Sequence, residues 1–405
     1  MDYRKESIPR DAVIESEPHW YTDDILLFVG PRQAGKTTIL RQIQARIERH
    51  TPSYWITLED PDFLTLLNES PKNLFRIIPA SQNQKVVVFI DEIQYLNNPT
   101  NLLKYLYDEH RDKIKLIVSG SSAFYIDETF QDSLVGRKKI FTVYPLSFRE
   151  FLRFKNQDSL GDKDTSSLAL IEQQAISDLY QEYMTYGGYP RVVLAPMQQK
   201  EDELREIAYS YIKKDVLEAG IRREETFFKL MKILSDQPGG LVNNSELAKT
   251  LSVSVLTVEK YIHVMRKSFH IAIIRPFARN VRSELTKMPK VYWIDLGLRN
   301  FLAGSLAPYM VRNDKGRVLE NAVARQLLTR KSEDEIKFWR TKSDQEIDFV
   351  VDSQAYEVKV DASKIKHSNF KAFQKAYPDI LLSVVTADAK EKTINEWQVK
   401  NVWEL

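Results

Sequence analysis

Two stretches of this chain hold side chains whose types and spacing suit work on phosphate groups. The first is GPRQAGKTT at 30–38, which follows the apolar run ILLFV and precedes the helical pattern ILRQIQARI. Gly30, Gly35, Lys36 and Thr37 fall at the spacing of a phosphate-binding loop. Glycines there let main-chain N–H groups turn inward and cradle phosphate oxygens at a helix N-terminus. Pro31, Arg32, Gln33, Ala34 and Thr38 complete the cradle. Lys36 is expected to reach the β- and γ-phosphates of ATP, and Thr37 to hold Mg²⁺ through its hydroxyl. Further on, the apolar run in VVVFIDEIQ (86–94) ends in Asp91 and Glu92. Asp91 is placed to order the Mg²⁺ shell, and Glu92 to orient or activate a water. After the next apolar run, SGSS at 119–122 offers hydroxyls to a γ-phosphate; Ser121 is one of several candidates.

The second stretch is QEIDFVVDSQAYEVKV at 345–360. Period two puts Glu357 and Lys359 on one face of a strand, with Asp348 on the strand before. An acid beside a lysine on a strand that reads as buried costs desolvation free energy unless something uses the pair. Glu320, in the helical pattern GRVLENAVARQLL, supplies a third acid. Three carboxylates can bind Mg²⁺, and a lysine beside them can orient water or neutralise developing charge. The spacing of these acids alone arises often by chance, so acids left over in a domain that only binds or packs are the competing account.

Elements of two kinds must position these groups. Apolar runs at 25–30, 54–58, 86–90 and 114–118 alternate with amphipathic stretches, the pattern of a parallel sheet covered on both faces. The polar stretch 156–168 reads as a loop, and 168–240 as helical, broken at YGGYP (186–190). SELAKTLSVSVLTVEKYIHVMRKS then reads as helix, turn, helix, with a start near Ser245, and strand-like FHIAIIRPF follows: a winged helix-turn-helix pattern. Strands are expected at 336–339, 346–351, 355–360 and 380–386, with a helix at 364–377. The expected layout is a 1–22 N-terminal segment, a 23–155 core, a 156–235 helical lid or linker, a 236–295 winged helix and a 296–405 α/β domain.

Composition narrows the class. With 43% hydrophobic and 28% charged residues, the chain is that of a globular protein with several domains. The absence of cysteine rules out disulfides and thiolate metal sites and fits a cytoplasmic location. No apolar run approaches the ~20 residues that span a bilayer, so no membrane partner is expected.

The motifs GPRQAGKTT, VVVFIDEIQ, SGSS, GR (136–137), YPLSFREF (144–151), YGGYP, VLEN and EIDFVV, in this order, resemble an AAA-type P-loop ATPase family of bacteria and archaea. In that family the core is joined to a C-terminal domain of unknown function. The resemblance runs from about 23 to 360. It implies a ring-like homo-oligomer, such as a hexamer, whose ATP sites are completed by a neighbour's arginine. Arg137 matches that position, with Arg149 as rival and a surface ion pair as the alternative. The Glu320, Asp348, Glu357 and Lys359 set resembles the PD-(D/E)xK nuclease fold, also called restriction-endonuclease-like, although Ile347 stands where the pattern has proline. YGGYP suggests a hinge.

The net charge of +2 is small, so any polyanion surface must be local. Between 241 and 290, nine basic residues face three acids: Lys249, Lys260, Arg266, Lys267, Arg275, Arg279, Arg282, Lys287 and Lys290 against Glu246, Glu259 and Glu284. Such a surplus suits structure-specific or non-specific contact with DNA, branched DNA included. The expected function is an ATP-hydrolysing DNA-processing motor for branched or broken DNA with a Mg²⁺-dependent nuclease-like domain. An ATP-driven DNA binder with an inactive nuclease fold, or a signalling switch that binds proteins, remains the alternative.

Overall fold

A computed structural model describes residues 8–405 except 80–83, 122–133, 164–166, 278–283, 285–286, 342, 344, 366–369, 388, 390–392 and 395–396. The chain divides into two compact units, one formed by Met1–Pro145 with Lys267–Phe269, the other by Leu146–Arg266 with His270–Leu405.

In the first unit, the four apolar runs are strands β1 (Ile25–Val29), β2 (Ser53–Thr57), β3 (Val86–Asp91) and β4 (Ile114–Gly120). A fifth, β5 (Lys138–Thr142), has the sequence KKIFT and no apolar run to announce it. It lies at the sheet edge, where exposed lysines are ordinary. All pairs are parallel, in the order β2-β3-β4-β1-β5. Alternation sorts the strand residues onto two faces. Leu27, Val29, Val88, Ile90, Leu116 and Val118 pack on one side. Leu26, Phe28, Val87, Phe89 and Ile117 pack on the other, against Ile39, Leu40, Ile43 and Ile47 of the helix that follows the phosphate loop.

The N-terminal segment is not a separate element, as the expected boundary at 23 had it. Its helix Asp11–Ser16 buries Val13 in the second cluster, and Trp20 joins it. The Trp20 indole donates to Ser16 Oγ at 3.0 Å, and Gln42 Nε2 donates to the Ile8 carbonyl at 2.8 Å. Two apolar anchors in a polar stretch leave too little periodicity to read.

The second unit starts at Leu146, nine residues before the expected end of the core at 155. Helix Phe148–Phe154 begins at a capping box of Ser147 and Glu150. The long helix Leu170–Tyr186 ends at YGGYP, which is a clamp and not a hinge. Gly188 N–H donates to Asp295 Oδ2 and its carbonyl accepts from Leu146 N–H, both at 2.7 Å. Gly187 has φ +75° and ψ −164°, a region open essentially to glycine alone. A Cβ there would meet Asp295 Oδ1 at 2.3 Å, and one on Gly297 would meet the Tyr186 carbonyl oxygen at 2.0 Å. Burial pushes the Asp295 carboxyl up to about 6, against the pull of its main-chain donors.

Helices Asn244–Leu251 and Val255–Lys267 precede an antiparallel pair, β6 (Ile271–Pro276) and β7 (Lys290–Trp293). The first helix is capped two residues earlier than expected, by Asn243, whose side chain accepts from Ser245 and Glu246 N–H. These strands do not close a free-standing winged domain at 295. The end of β6 pairs with β8 (Lys337–Arg340), which pairs with β9 (Glu346–Val351), then come β10 (Gln354–Val358), β11 (Leu381–Thr386), β13 (Trp397–Asn401) and β12 (Thr393–Ile394) in one eight-stranded sheet. Where a single helix was expected at 364–377, a 3-10 turn (Ala362–Lys364) and a short helix (Lys371–Ala376) stand on either side of 366–369. Among the described residues, no helix is long and apolar enough to cross a membrane.

Replacing Gly187 or Gly297 by alanine should destabilise the second unit by about 2–3 kcal/mol, from strain and overpacking. Gly316→Ala, in a helix with only Val360 Cγ2 at 4.0 Å, should be neutral or stabilising. Thermal melts of the three variants check the contrast, and equal melting temperatures would exclude the clamp.

Candidate phosphate site and carboxylate centre

Strand order assembles the phosphate site. β4 lies between β1 and β3, so its last residues stand between the loop after β1 and the acids that end β3. Thr37 Oγ1 donates to Asp91 Oδ2 at 2.8 Å, while Ser119 Oγ donates to Asp91 Oδ1 and accepts from Glu92 N–H at 3.1 Å. Burial holds the Asp91 carboxyl above its ordinary range, and the two hydroxyls oppose that shift. Lys36 Nζ donates to the Gly30 and Pro31 carbonyls at 3.0 and 2.9 Å, folded back along its own loop. Gly30 passes so close to the sheet that a Cβ would stand 2.0 Å from the Val143 oxygen. Gln33 and Gly35 have φ values of +64° and +96°, which turn the loop around Ala34. Arg32 is buried, and Thr38 lies one turn into the helix.

Two contributors, Arg10 and Gln94, were missed, and a third, Ser119, was among the SGSS candidates. Arg10 donates to the Ala34 carbonyl at 2.6 Å and to the Tyr144 carbonyl at 3.0 Å, buttressing the loop from outside the motif. Ser119 holds the Asp91 carboxylate, whereas Ser121 is fully buried and its Oγ has no hydrogen-bond partner among the described residues. Gln94 donates to Glu92 Oε2 and accepts from Ser121 N–H at 3.1 Å, which ties the acid to the end of β4. Its place in IDEIQ was the available signal. Glu92 itself sits at φ +58°, an uncommon conformation that aims it off the strand line. Thr37, Asp91 and their hydroxyl partners fit a hexacoordinate oxygen-seeking cation such as Mg²⁺.

Arg137 is not brought to this chain's loop. It precedes β5 beside Ile25, at the opposite end of β1, and its guanidinium pairs with Asp108 at 2.8 Å. Arg149 lies in the second unit on helix Phe148–Phe154.

The carboxylate centre differs from the expected set. Oxygens of Glu320, Glu346 and Asp348 lie within 4.8 Å of one another. Glu346 was overlooked, although it shares a face of β9 with Asp348 two residues away. Glu357 is turned to Lys359, whose Nζ donates to its Oε1 at 2.5 Å, and its Oε2 is buried without a partner among the described residues. Asp348 Oδ2 accepts from Val358 N–H at 2.8 Å, so a side chain continues the β9–β10 pairing where the main-chain ladder stops.

An amine stands at the middle. Lys290 Nζ donates to Glu320 Oε1 at 2.9 Å, pairs with Glu346 Oε1 and lies 3.8 Å from Asp348 Oδ1. Tyr292 Oη donates to the same Glu320 oxygen at 2.6 Å, and Arg340 pairs with Glu346 at 3.0 Å. Lys290 belongs to β7, three strands from β9 in the sheet order, so the contact spans the intervening strands β6 and β8. Gly239, in QPGG, lies against the cluster: a Cβ would meet Glu320 Oε1 at 2.7 Å. Burial, then the Asp348 charge, pushes Glu320 up to about 7 and Glu357 up to about 8. As it stands the cluster does not fit a metal ion, because an ammonium already takes the oxygens an ion would need.

The basic surplus is also redistributed. Lys290 is buried, Arg266 pairs with Glu333, and Arg279 and Arg282 lie outside the described residues. Lys249, Lys260 and Lys287 are exposed.

Comparison with known proteins agrees with the first site. Residues 22–152 match the family model of an AAA domain, 177–308 that of a domain of unknown function (DUF8612), and 315–405 that of another (DUF4143). Residues 22–152 are thus similar to an AAA domain. An uncharacterized protein of Haemophilus influenzae is 28% identical over 329 residues, 76% of this chain and 75% of that one. One of Methanocaldococcus jannaschii is 27% identical over 392 residues, 93% and 83% of the two chains. Among solved structures, the Thermotoga maritima RuvB Holliday junction branch migration motor is similar at 18% identity and TM-score 0.35, over 69% of this chain and 94% of that one. A TM-score of that size carries no argument.

Lys290→Met should leave buried acids without their counter-ion and cost about 3–5 kcal/mol near pH 8. The raised carboxyls bind protons in the folded chain that the unfolded chain, with ordinary acids, releases. Stability of the variant should therefore recover as pH falls from 8 toward 5. Denaturant titrations at the two pH values measure this, and a loss independent of pH would contradict it.

Proposed function

We propose that this chain hydrolyses ATP at the loop 30–38 and uses the cycle to act on DNA through its second unit. The contact of Thr37 and Ser119 with opposite oxygens of Asp91, beside the phosphate loop, carries the ATP part of this reading. Lys36 would exchange its loop carbonyls for the β- and γ-phosphates. Thr37 and Asp91 would hold Mg²⁺, which supplies charge neutralisation on the phosphates when bound. Glu92, steadied by Gln94, would orient the attacking water, and the buried Ser121 hydroxyl would meet the γ-phosphate. Arg137 would serve a neighbouring copy in a ring such as a hexamer, once freed from Asp108.

DNA contact would rest on exposed Lys249, Lys260 and Lys287, which need no base recognition. Branched or broken DNA is the substrate class this reading favours. The set Glu320, Asp348, Glu357 and Lys359 keeps the residue types of a nuclease centre. Lys290, set among those acids, favours a second reading in which the domain binds DNA without cleaving it.

Lys36→Ala and Glu92→Gln should each lower ATP turnover by about 100-fold or more, with nucleotide affinity lost only in the first. Steady-state hydrolysis and equilibrium nucleotide binding separate the two, and wild-type turnover in Glu92→Gln would remove the water-orienting role. Changing Lys249, Lys260 and Lys287 together to glutamate should weaken binding to every DNA sequence alike. It should also lower the log–log salt slope by about one per lost contact. Fluorescence anisotropy across a salt series measures it; unchanged binding would favour a protein partner.

A further inference from the structure

Lys290 is an unusual occupant for the outermost strand of a sheet. It is 2% exposed, and its amine meets carboxylates from a helix and from a strand three places away. An ammonium has three N–H donors. Here it reaches Glu320 and Glu346 but stops 3.8 Å short of Asp348 Oδ1, beyond hydrogen-bond range. The acids around it are individually anchored: Glu320 by Tyr292, Glu346 by Arg340, and Asp348 by the Val358 N–H. Next to them Glu357, 6% exposed, keeps Oε2 without a partner among the described residues, although Lys359 engages its other oxygen. Carboxylate oxygens held apart by anchors, one under-served and one not served, are what a cation with more coordination positions than an ammonium would satisfy.

Size agrees. Opposite ligands of an ion bound at 2.1–2.4 Å stand roughly 4.2–4.8 Å apart. The three oxygens lie within 4.8 Å of one another.

We propose that Lys290 is a tethered cation occupying the place of a divalent metal ion, and that Glu320, Glu346 and Asp348 bind such an ion only when this amine is absent or withdrawn. The ion is of the hard, oxygen-seeking class, Mg²⁺ or Mn²⁺. The inference stands on the carboxylate centre alone and does not depend on ATP or DNA.

Mn²⁺ binding to the nucleotide-free full chain, read from loss of the free-ion paramagnetic resonance signal, tests it. Wild-type protein should show no site tighter than about millimolar, whereas Lys290→Met should gain one site at least about 30-fold tighter. Adding Glu346→Gln to that variant should abolish the gain. Because Lys290→Met loses stability, its melting temperature is followed in parallel: Mn²⁺ should raise it by several degrees and leave wild type unmoved. Equal Mn²⁺ affinity in wild type and Lys290→Met, no gain in the variant by either readout, or a gained site indifferent to Glu346→Gln would each overturn the proposal. ATP turnover in the same proteins stays at the wild-type level if the centre acts separately, so failure here is distinguishable from failure of the ATPase reading.

Discussion

Charge balance at one buried point constrains the second unit more than any other interaction. Several carboxylates are gathered where they are largely buried, and such a site tolerates them best with counter-charge at contact distance. Lys290 supplies it from the far edge of the sheet. That single requirement accounts for features that otherwise look unrelated: the fusion of the β6–β7 pair with the strands after 336, and a glycine at 239 where the loop presses on Glu320. Tyr292, two residues along the same strand face, adds a hydroxyl to the same oxygen.

The first unit solves the opposite problem. Its acids, which in the proposed function meet a cation and a phosphate chain, are held by neutral groups. Hydroxyls of Thr37 and Ser119 grip Asp91, and an amide, Gln94, grips Glu92. Neutral donors orient a carboxylate without cancelling its charge. Side by side, the two centres show how the partner chosen for a carboxylate separates a site prepared for a metal from one already neutralised.

Much of this was legible in the sequence and the remainder has definite physical reasons for escaping. Continuous apolar runs gave away β1, β3 and β4, which are buried on both faces, and the half-buried edge strand β2 was visible through YWITL. The phosphate loop and Asp91–Glu92 were readable because their chemistry is local. β5 escaped since an edge strand needs no apolar run. Arg10 and Asp295 escaped because their partners lie tens to hundreds of residues away and leave no periodic trace, whereas Ser119 stood among the SGSS hydroxyls. Glu346 was visible in principle: it sits two places before Asp348, on the same strand face. Lys290 was misassigned to a DNA-facing surplus, since composition counts a lysine's charge and says nothing of where it is spent.

The Arg10 contacts carry a consequence for the order of assembly during synthesis. Its guanidinium joins the carbonyls of Ala34 and Tyr144, and β1 itself lies between β4 and β5, the last strands of its sheet to be made. The phosphate loop therefore emerges from the ribosome long before the groups that hold it. At about 5–20 residues per second, roughly 5–20 s pass between completion of the loop at residue 38 and the making of residue 144. Through that interval the loop has its motif and no scaffold. A nascent chain stalled before β5 would have the whole phosphate-loop sequence and no ability to hold a nucleotide.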